Sequence, residues 1–99
     1  MSTETSEGSS TDWKTIAWVT ASSHRREVLL ELTENAATPS TLTERVTIDD
    51  MSHVSRALNQ LRDRGLVELL VPEEVRKGRI YDVTDKGYDI AMQTEEVDA

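Results

Sequence analysis

The chain of 99 residues contains no cysteine, so it has no thiolate with which to hold a soft metal or to sense oxidants. Its two histidines, His24 and His53, fall in different predicted helices and have no ligand partner at a characteristic spacing. A histidine in that situation is far more often structural or hydrogen-bonding than a metal ligand. We therefore expect no metal site and no cofactor.

Glycine is scarce too, and the four glycines occur singly, so they cannot build a loop that cradles a nucleotide phosphate. The motifs of serine hydrolases and of zinc proteases are absent from the sequence. No apolar run approaches the roughly 18 residues of a membrane helix, and the N-terminus is not basic and then apolar as a secretory signal would be. We expect a cytoplasmic protein that is not an enzyme.

The chain is long enough for one small domain, which buries a modest core and often gains stability by association. Residues 1–11 are rich in Ser, Thr and Glu and lack apolar periodicity, so they cannot offset the entropy of ordering. We predict a disordered acidic tail over residues 1–11, a domain over residues 12–94 and a second acidic tail over residues 95–99.

The segment from Met51 to Leu61 carries its apolar residues on one stripe at helical spacing. Five polar residues face the opposite side: Ser52, His53, Arg56, Asn59 and Gln60. Arginine can pair with guanine, asparagine and glutamine with adenine, and serine and histidine with bases or phosphates, which suits the edge of a DNA major groove. A merely solvated helix face is the alternative, and the flanking segments decide against it.

Upstream of this helix, Thr38 and Pro39 fit the N-cap and first position of a short helix that continues to about Val46. Asp49 or Asp50 fits the N-cap of the second helix, because a carboxylate accepts from free backbone N–H groups. Residues 47–49 then form the turn. The sequence predicts two helices joined by a tight turn.

Downstream, Gly65 follows two arginines and fits the residue at which the second helix stops. Leu66 to Val71 is rich in branched apolar residues, Pro72 to Gly78 contains turn signals, and Arg79 to Val83 fits a return strand. The tip of this predicted hairpin is Glu73 to Lys77. With Arg79, which follows the tip, three cations (Arg76, Lys77 and Arg79) stand against two acids, Glu73 and Glu74.

The run LxxLxxRGLVE, the basic hairpin and the run YDVTDKG together resemble winged-helix transcriptional regulators of the ArsR and MarR type, over roughly Ser22 to Met92. The resemblance implies a mainly helical α+β fold with a small β-hairpin wing, a winged helix-turn-helix. It implies that the five polar residues of the second helix read bases. It also implies wing contacts from Arg76, Lys77 and Arg79, and phosphate contacts from Ser40 and Thr41.

The net charge of −8 opposes DNA binding unless cations are gathered on the contact face. Six of the nineteen acids lie in residues 1–12 and 94–99, so the net charge of residues 13–93 is only −2. Within residues 52–64 three arginines stand against one aspartate, so this face has the required sign. The acidic surface and the excess of eight Arg over three Lys resemble haloarchaeal proteins. We expect a shallow dependence of DNA affinity on salt.

Both ends of the domain are predicted to be helical, with Asp12 capping a helix to about Thr20 and Thr84 capping one to about residue 94. Between them, a cap at residues 22–23 opens a helix over residues 24–33. In the resembled families the terminal helices pair two subunits. The candidates for this apolar contact are Trp13, Trp18, Tyr88 and Met92. The alternative, that both tryptophans cover the core of their own chain, is equally compatible with the sequence.

These features predict a sequence-specific regulator of transcription that binds double-stranded DNA as a homodimer. A palindromic operator would follow from two-fold symmetry, and the resembled families favour a repressor. A winged helix can also serve as a protein interaction module in a transcription or replication assembly without reading DNA, and that is the alternative function.

Overall fold

The computed structural model describes residues 12–46 and 50–98, with side chains as far as Glu95, and this part of the chain folds into five helices and one two-stranded sheet. In chain order the elements are α1 (Trp13–Thr20), α2 (Ser23–Glu34), α3 (Pro39–Arg45), α4 (Met51–Asp63), β1 (Val67–Leu69), β2 (Tyr81–Val83) and α5 (Asp85–Asp98). The predicted mainly helical fold with a β-hairpin is confirmed.

Each helix begins where a side-chain oxygen caps it, as the sequence predicts. The caps are Asp12, Ser22, Thr38, Asp50 and Thr84. At α1, the Asp12 carboxylate accepts from both the backbone N–H and the hydroxyl of Thr15, at 3.1 and 2.6 Å, and these bonds lower the pKa of Asp12. Of the two carboxylates proposed for α4, Asp50 is the cap, whereas Asp49 and the predicted turn lie outside the described residues.

Helix α4 ends at a left-handed glycine. Gly65 has a φ of 77°, a conformation that residues with a Cβ rarely adopt. Its N–H donates to the carbonyl of Arg62 at 2.9 Å, and the N–H of Leu66 donates to the carbonyl of Leu61 at 3.0 Å. This pair of bonds satisfies carbonyls that the helix end would otherwise leave open. The predicted stop at Gly65 is confirmed.

The hairpin is antiparallel, with Val67 opposite Val83 and Leu69 opposite Tyr81. Its strands are shorter than predicted, because the chain between residues 70 and 80 forms a wide connection with only a few internal hydrogen bonds. A third segment joins the sheet at one residue: Ala37 exchanges both backbone hydrogen bonds with Tyr81, at 3.0 and 2.9 Å. The link between α2 and α3 therefore fixes the start of α3 beside the hairpin.

The core lies between α2, α4 and the hairpin. The fully buried large side chains from these elements include Leu29 and Leu32 of α2, Leu58 and Leu61 of α4, and Leu66 before β1. Burial of a leucine side chain contributes about 1.5–3 kcal/mol. The stripe predicted for α4 is buried as expected except at Met51, which is 49% exposed because it is the first residue of the helix.

A threonine and a glycine join α5 to the end of α4. The Thr84 hydroxyl donates to the carbonyl of Gly65 at 2.6 Å and accepts from the N–H of Gly87 at 3.0 Å. A Cβ on Gly87 would lie 1.9 Å from the carbonyl oxygen of Leu66, so only glycine allows this approach. The T-x-x-G pattern in the sequence therefore corresponds to a close contact between helix and hairpin.

The terminal helices differ from the predictions in two respects. Helical spacing puts Val19 off the side of α1 that carries Trp13 and Ile16, yet Val19 is fully buried, because α1 packs against both α2 and α5. Helix α5 continues to Asp98, beyond the expected end near Thr94, whereas residues 1–11 lie outside the described part of the chain. Among the helices of residues 12–46 and 50–98, none combines the length and the apolar character needed to cross a membrane.

Candidate nucleic-acid interface

The outer face of α4 consists of polar side chains above a buried apolar face. Ser52, His53, Arg56 and Asn59 are exposed and Gln60 is half-buried. Val54, Ala57, Leu58 and Leu61 are buried beneath them. The five residues predicted to read bases therefore share one accessible face, and the core residues below fix the direction in which that face points.

Ser52 and Asp50 form one unit at the start of α4. The backbone N–H and the hydroxyl of Ser52 both donate to Oδ1 of Asp50, at 2.8 and 2.7 Å. These two hydrogen bonds lower the pKa of Asp50, so its carboxylate stays charged at the positive end of the helix dipole. Because the hydroxyl hydrogen of Ser52 is occupied, this residue can offer a ligand only an acceptor.

Two residues of α2 contact the polar face of α4. The imidazole of His24 stacks on that of His53, with ring centroids 4.9 Å apart and planes inclined by 20°. Arg25 donates from Nη1 to Oε1 of Gln60 at 3.2 Å and from Nε to the carbonyl of Trp18 at 3.0 Å. Gln60 thus has a fixed partner inside the protein, whereas Arg56 and Asn59 have no hydrogen bond to another described residue. Neither contact could be predicted from a sequence pattern, since the partners are 29 and 35 residues apart.

Arg25 also forms part of a stack around Trp18. The guanidinium carbons of Arg25 and Arg64 each lie 4.2 Å from the centroid of the indole ring. Burial lowers the pKa of Arg25, and the charge of Arg64 lowers it further. Cations over an indole face are attracted by its quadrupole. The guanidinium of Arg25 is therefore engaged by the carbonyl of Trp18, its indole ring and the amide of Gln60.

Two arginines stabilise the tip of the wing, one from the hairpin and one from α4. Arg79 donates to the backbone carbonyls of Val75 and Glu73, at 2.6 and 2.7 Å, and so closes the tip of the hairpin. Arg62 at the end of α4 pairs with the carboxylate of Glu73, which lowers the pKa of Glu73. Arg76 and Lys77 are exposed. Of the three predicted wing contacts, two are thus available on the surface and one supports the tip.

A groove of about 640 Å³ lies between the start of α3, the outer face of α4 and the wing. It brings together five of the residues predicted as DNA contacts: Ser40, Ser52, Asn59, Arg76 and Arg79. Thr41 lies apart from these because it serves the start of α3, where its hydroxyl accepts from the Thr38 hydroxyl at 3.1 Å. Met51, Ser55 and Tyr81 also line the groove, although nothing in their sequence pattern predicts it.

The terminal helices expose apolar side chains on a different part of the surface. Trp13 is 64% exposed, Tyr88 49% and Met92 45%. Trp18, the fourth residue predicted for a subunit contact, is half-buried against the core of its own chain and covered by Arg25 and Arg64. The structure thus separates Trp18 from the other three.

No three side chains from His, Asp and Glu converge as metal ligands within the described residues. The imidazoles of His24 and His53 do lie side by side. They stack through their faces, which is a contact between rings rather than a shared coordination site.

No family model matches the chain, and no curated protein matches it. Solved structures do resemble it. ZitR from Lactococcus lactis, solved in complex with DNA, has a TM-score of 0.65 and 20% sequence identity over 76% of this chain and 51% of ZitR. A MarR family regulator from Neisseria meningitidis has a TM-score of 0.68 and 26% identity over 86% of this chain and 60% of the other.

The fold is a winged helix. A further neighbour from Mycobacterium tuberculosis agrees, with a TM-score of 0.68 and 21% identity over 84% of this chain and 58% of that one. ZitR is itself described as a zinc-responsive member of the MarR family. This winged-helix chain spans about half the length of ZitR.

Proposed function

We propose that this winged-helix chain is a sequence-specific, DNA-binding regulator of transcription. The observation that carries the proposal is the outer face of α4, where accessible polar side chains stand above a fully buried apolar face. The fold resembles that of ZitR, which has been solved in complex with DNA, and of a MarR family regulator. An α-helix of about 10–12 Å diameter fits a major groove about 12 Å wide.

The proposed contacts differ in what they contribute. Arg56 and Asn59 are the principal base readers, since both are exposed and neither has a hydrogen bond to another residue in the described part of the chain. Ser52, His53 and Gln60 contribute beside them. Arg76 and Lys77 contact phosphates from the wing, while Arg79 positions the tip through its two carbonyl bonds. Ser40 and Thr41 contact phosphates from the start of α3, with Ser40 the more accessible of the two.

The regulator is proposed to act as a homodimeric repressor on a palindromic operator. Trp13, Tyr88 and Met92 supply the apolar surface for pairing, because all three are exposed on the terminal helices. Two copies related by a two-fold axis would present their α4 helices to half-sites about one turn of DNA apart. Trp18 contributes less, since most of its ring already packs within its own chain.

The test begins with selection of bound fragments from random DNA, followed by affinity measurements on the selected and on a scrambled duplex. Arg56→Ala combined with Asn59→Ala should abolish the preference for the selected sequence, since each lost bidentate contact changes affinity by about 5- to 150-fold. Arg76→Ala combined with Lys77→Ala should weaken binding to both duplexes alike. Lys14→Ala combined with Lys86→Ala removes the same charge from exposed positions on α1 and α5 and is the matched control.

Two outcomes would overturn the proposal. If the Arg56 and Asn59 changes leave the preference intact, the outer face of α4 does not read bases. If no fragment is enriched at any salt concentration, the chain is instead an interaction module of a larger assembly.

The small number of cations on the outer face of α4 predicts that DNA affinity depends only weakly on salt, since each phosphate contact contributes a slope of about −0.9 in log affinity against log salt.

A further inference from the structure

A second concave site lies on the other side of α4 from the wing. It is a cleft of about 210 Å³ between the start of α2 and α4. Its polar lining consists of Ser22, His24, Arg25, His53, Arg56 and Gln60. Each of these side chains can donate a hydrogen bond, and no carboxylate lines the cleft.

The two guanidinium groups of this cleft have no carboxylate partner among the described residues. Arg25 is held by the carbonyl of Trp18 and by Gln60, and Arg56 has no hydrogen bond or ion pair with a residue of ranges 12–46 and 50–98. The acid that Arg56 and His53 influence is Asp50, whose pKa they help to lower. Asp50 lies outside the lining of the cleft and is engaged with Ser52 at the cap. The cleft therefore holds positive charge that no acid of its lining neutralises.

The histidine stack leaves hydrogen-bond donors at the cleft. Stacking at 4.9 Å occupies the faces of His24 and His53, whereas the ring N–H groups lie in the ring planes and can donate outward. Ser22 accepts the N–H of Arg25 at 3.3 Å as the cap of α2, which leaves its hydroxyl hydrogen for a ligand. Convergent N–H and O–H donors beside fixed cations are the chemistry that binds a phosphate group.

The cleft and the groove flank α4 on opposite sides. The groove on the wing side includes Ser52, Ser55 and Asn59, whereas the cleft on the α2 side includes His53, Arg56 and Gln60. A helix that fills a major groove has one sugar-phosphate backbone on each side. With α4 in the groove, the wing cations would lie toward one backbone and the cleft toward the other.

We propose that this cleft binds a phosphodiester group of the DNA strand opposite to the strand contacted by the wing. This inference rests on the proposed function, and it adds α2 to the DNA-binding surface. His24 is its diagnostic residue, because it lies on α2, outside the predicted readers, and lines the cleft.

The first test replaces single phosphates of a bound duplex with neutral methylphosphonates. One position should weaken binding of the native chain by roughly 2- to 10-fold, the range of one hydrogen-bonded contact. A methylphosphonate at the same position should not weaken binding of the His24→Ala variant, because that variant has already lost the contact. Lys86→Ala removes a cation from α5, and this variant should respond to the methylphosphonates as the native chain does. The inference is overturned if no position depends on His24.

The second test titrates the free protein with inorganic phosphate and follows the imidazole resonances of His24 and His53 by NMR. Saturable shifts of both, absent in Arg25→Gln, would support the cleft without any DNA. Shifts without a methylphosphonate position that depends on His24 would identify a site for a free anion and overturn the assignment to DNA. Thermal melting of His24→Ala and His24→Gln establishes that the variants fold. In both variants, the methylphosphonate that weakens binding of the native chain must have no effect.

Failure of this inference can be told from failure of the proposed function. If base preference is found but no position depends on His24, only the cleft is refuted. If a methylphosphonate in a random duplex weakens binding only when His24 is present, while no sequence is preferred, the cleft binds backbone phosphate and the proposal of sequence reading is refuted.

Discussion

The outer face of α4 and the face of the terminal helices belong to the same small core, yet they expose opposite chemistry. The α4 face presents hydroxyl, imidazole, guanidinium and amide groups, whereas α1 and α5 present an indole, a phenol and a thioether from Trp13, Tyr88 and Met92. Hydrogen-bonding groups suit a polar, charged partner, and exposed apolar groups suit another protein surface. The difference in chemistry fits the two partners that we propose, DNA for the α4 face and a second copy of the chain for the terminal helices.

The two faces are not equally supported. Helix α4 buries four residues directly under its polar face, including Leu58 and Leu61. Helix α5 buries Ile90, Ala91 and Thr94, of which two are small or polar. The orientation of α5 depends instead on its backbone contact with Leu66 through Gly87. Each face can therefore be disturbed by a different substitution.

The largest effect is expected from Leu58→Ala, which removes the support under the α4 face. Leu58 is 1% exposed, and truncation of such a leucine costs about 2–5 kcal/mol in the free energy of unfolding. Chemical denaturation monitored by circular dichroism measures it. Asn59→Ala, the exposed neighbour on the same helix, should change stability by no more than about 0.5 kcal/mol. Equal effects at the two positions would contradict the assigned orientation of α4.

Gly87→Ala comes next and tests the joint between the two faces. The added methyl group would lie 1.9 Å from the carbonyl oxygen of Leu66, so backbone must shift, at a cost of about 1–3 kcal/mol. In an ordinary helix the same change is stabilising by up to about 1 kcal/mol, so the sign alone is informative. Asp89→Ala on the exposed side of α5 is the control. A more stable Gly87→Ala protein would show that α5 does not approach the hairpin this closely.

The local features of both faces could be predicted from sequence, because short-range physics determines them. Asp50 and Gly65 mark the two ends of α4 through the N–H and C=O groups left over at helix termini, and spacing alone separates Val54 from Arg56. Met51 shows the limit of spacing, since the first residue of a helix need not be covered.

Contacts between distant segments could not be predicted in the same way. The bridge from Ala37 to Tyr81 involves a four-residue link with no alternating pattern, and the stack of His24 on His53 depends on how α2 crosses α4. Nor did spacing show that Val19 is buried, because that depends on α1 lying against two helices at once. Such contacts follow from the packing of the whole domain.

Tyr88→Glu tests whether the apolar face serves self-association. If Tyr88 lies at the centre of a subunit contact, its loss and the new charge should weaken self-association at least tenfold, which corresponds to about 1.4 kcal/mol. Sedimentation equilibrium measures the dissociation constant. Leu70→Glu is the matched control, because Leu70 is 50% exposed on the hairpin, away from the terminal helices. If both variants weaken association equally, or the native chain is monomeric at micromolar concentration, the dimer proposal fails.

The smallest effect is expected in the wing, where Glu73 pairs with Arg62 on the surface. The pairing lowers the pKa of Glu73 from its ordinary value of 4.5, so its contribution is present above pH 4.5 and is lost as the pH falls through the lowered value. Glu73→Gln should therefore loosen the wing at pH 7 but make no difference once the native carboxylate is protonated.

The measurement is hydrogen exchange of the Val75 N–H, which donates to the carbonyl of Pro72 at 3.0 Å inside the tip. Glu74→Gln removes a neighbouring exposed charge and should leave this exchange unchanged at both pH values. Because Arg62 lies at the end of α4, faster exchange in Glu73→Gln alone would show that the wing is tied to the helix proposed to read DNA, whereas equal exchange would mean that the tip is held by Arg79 without it.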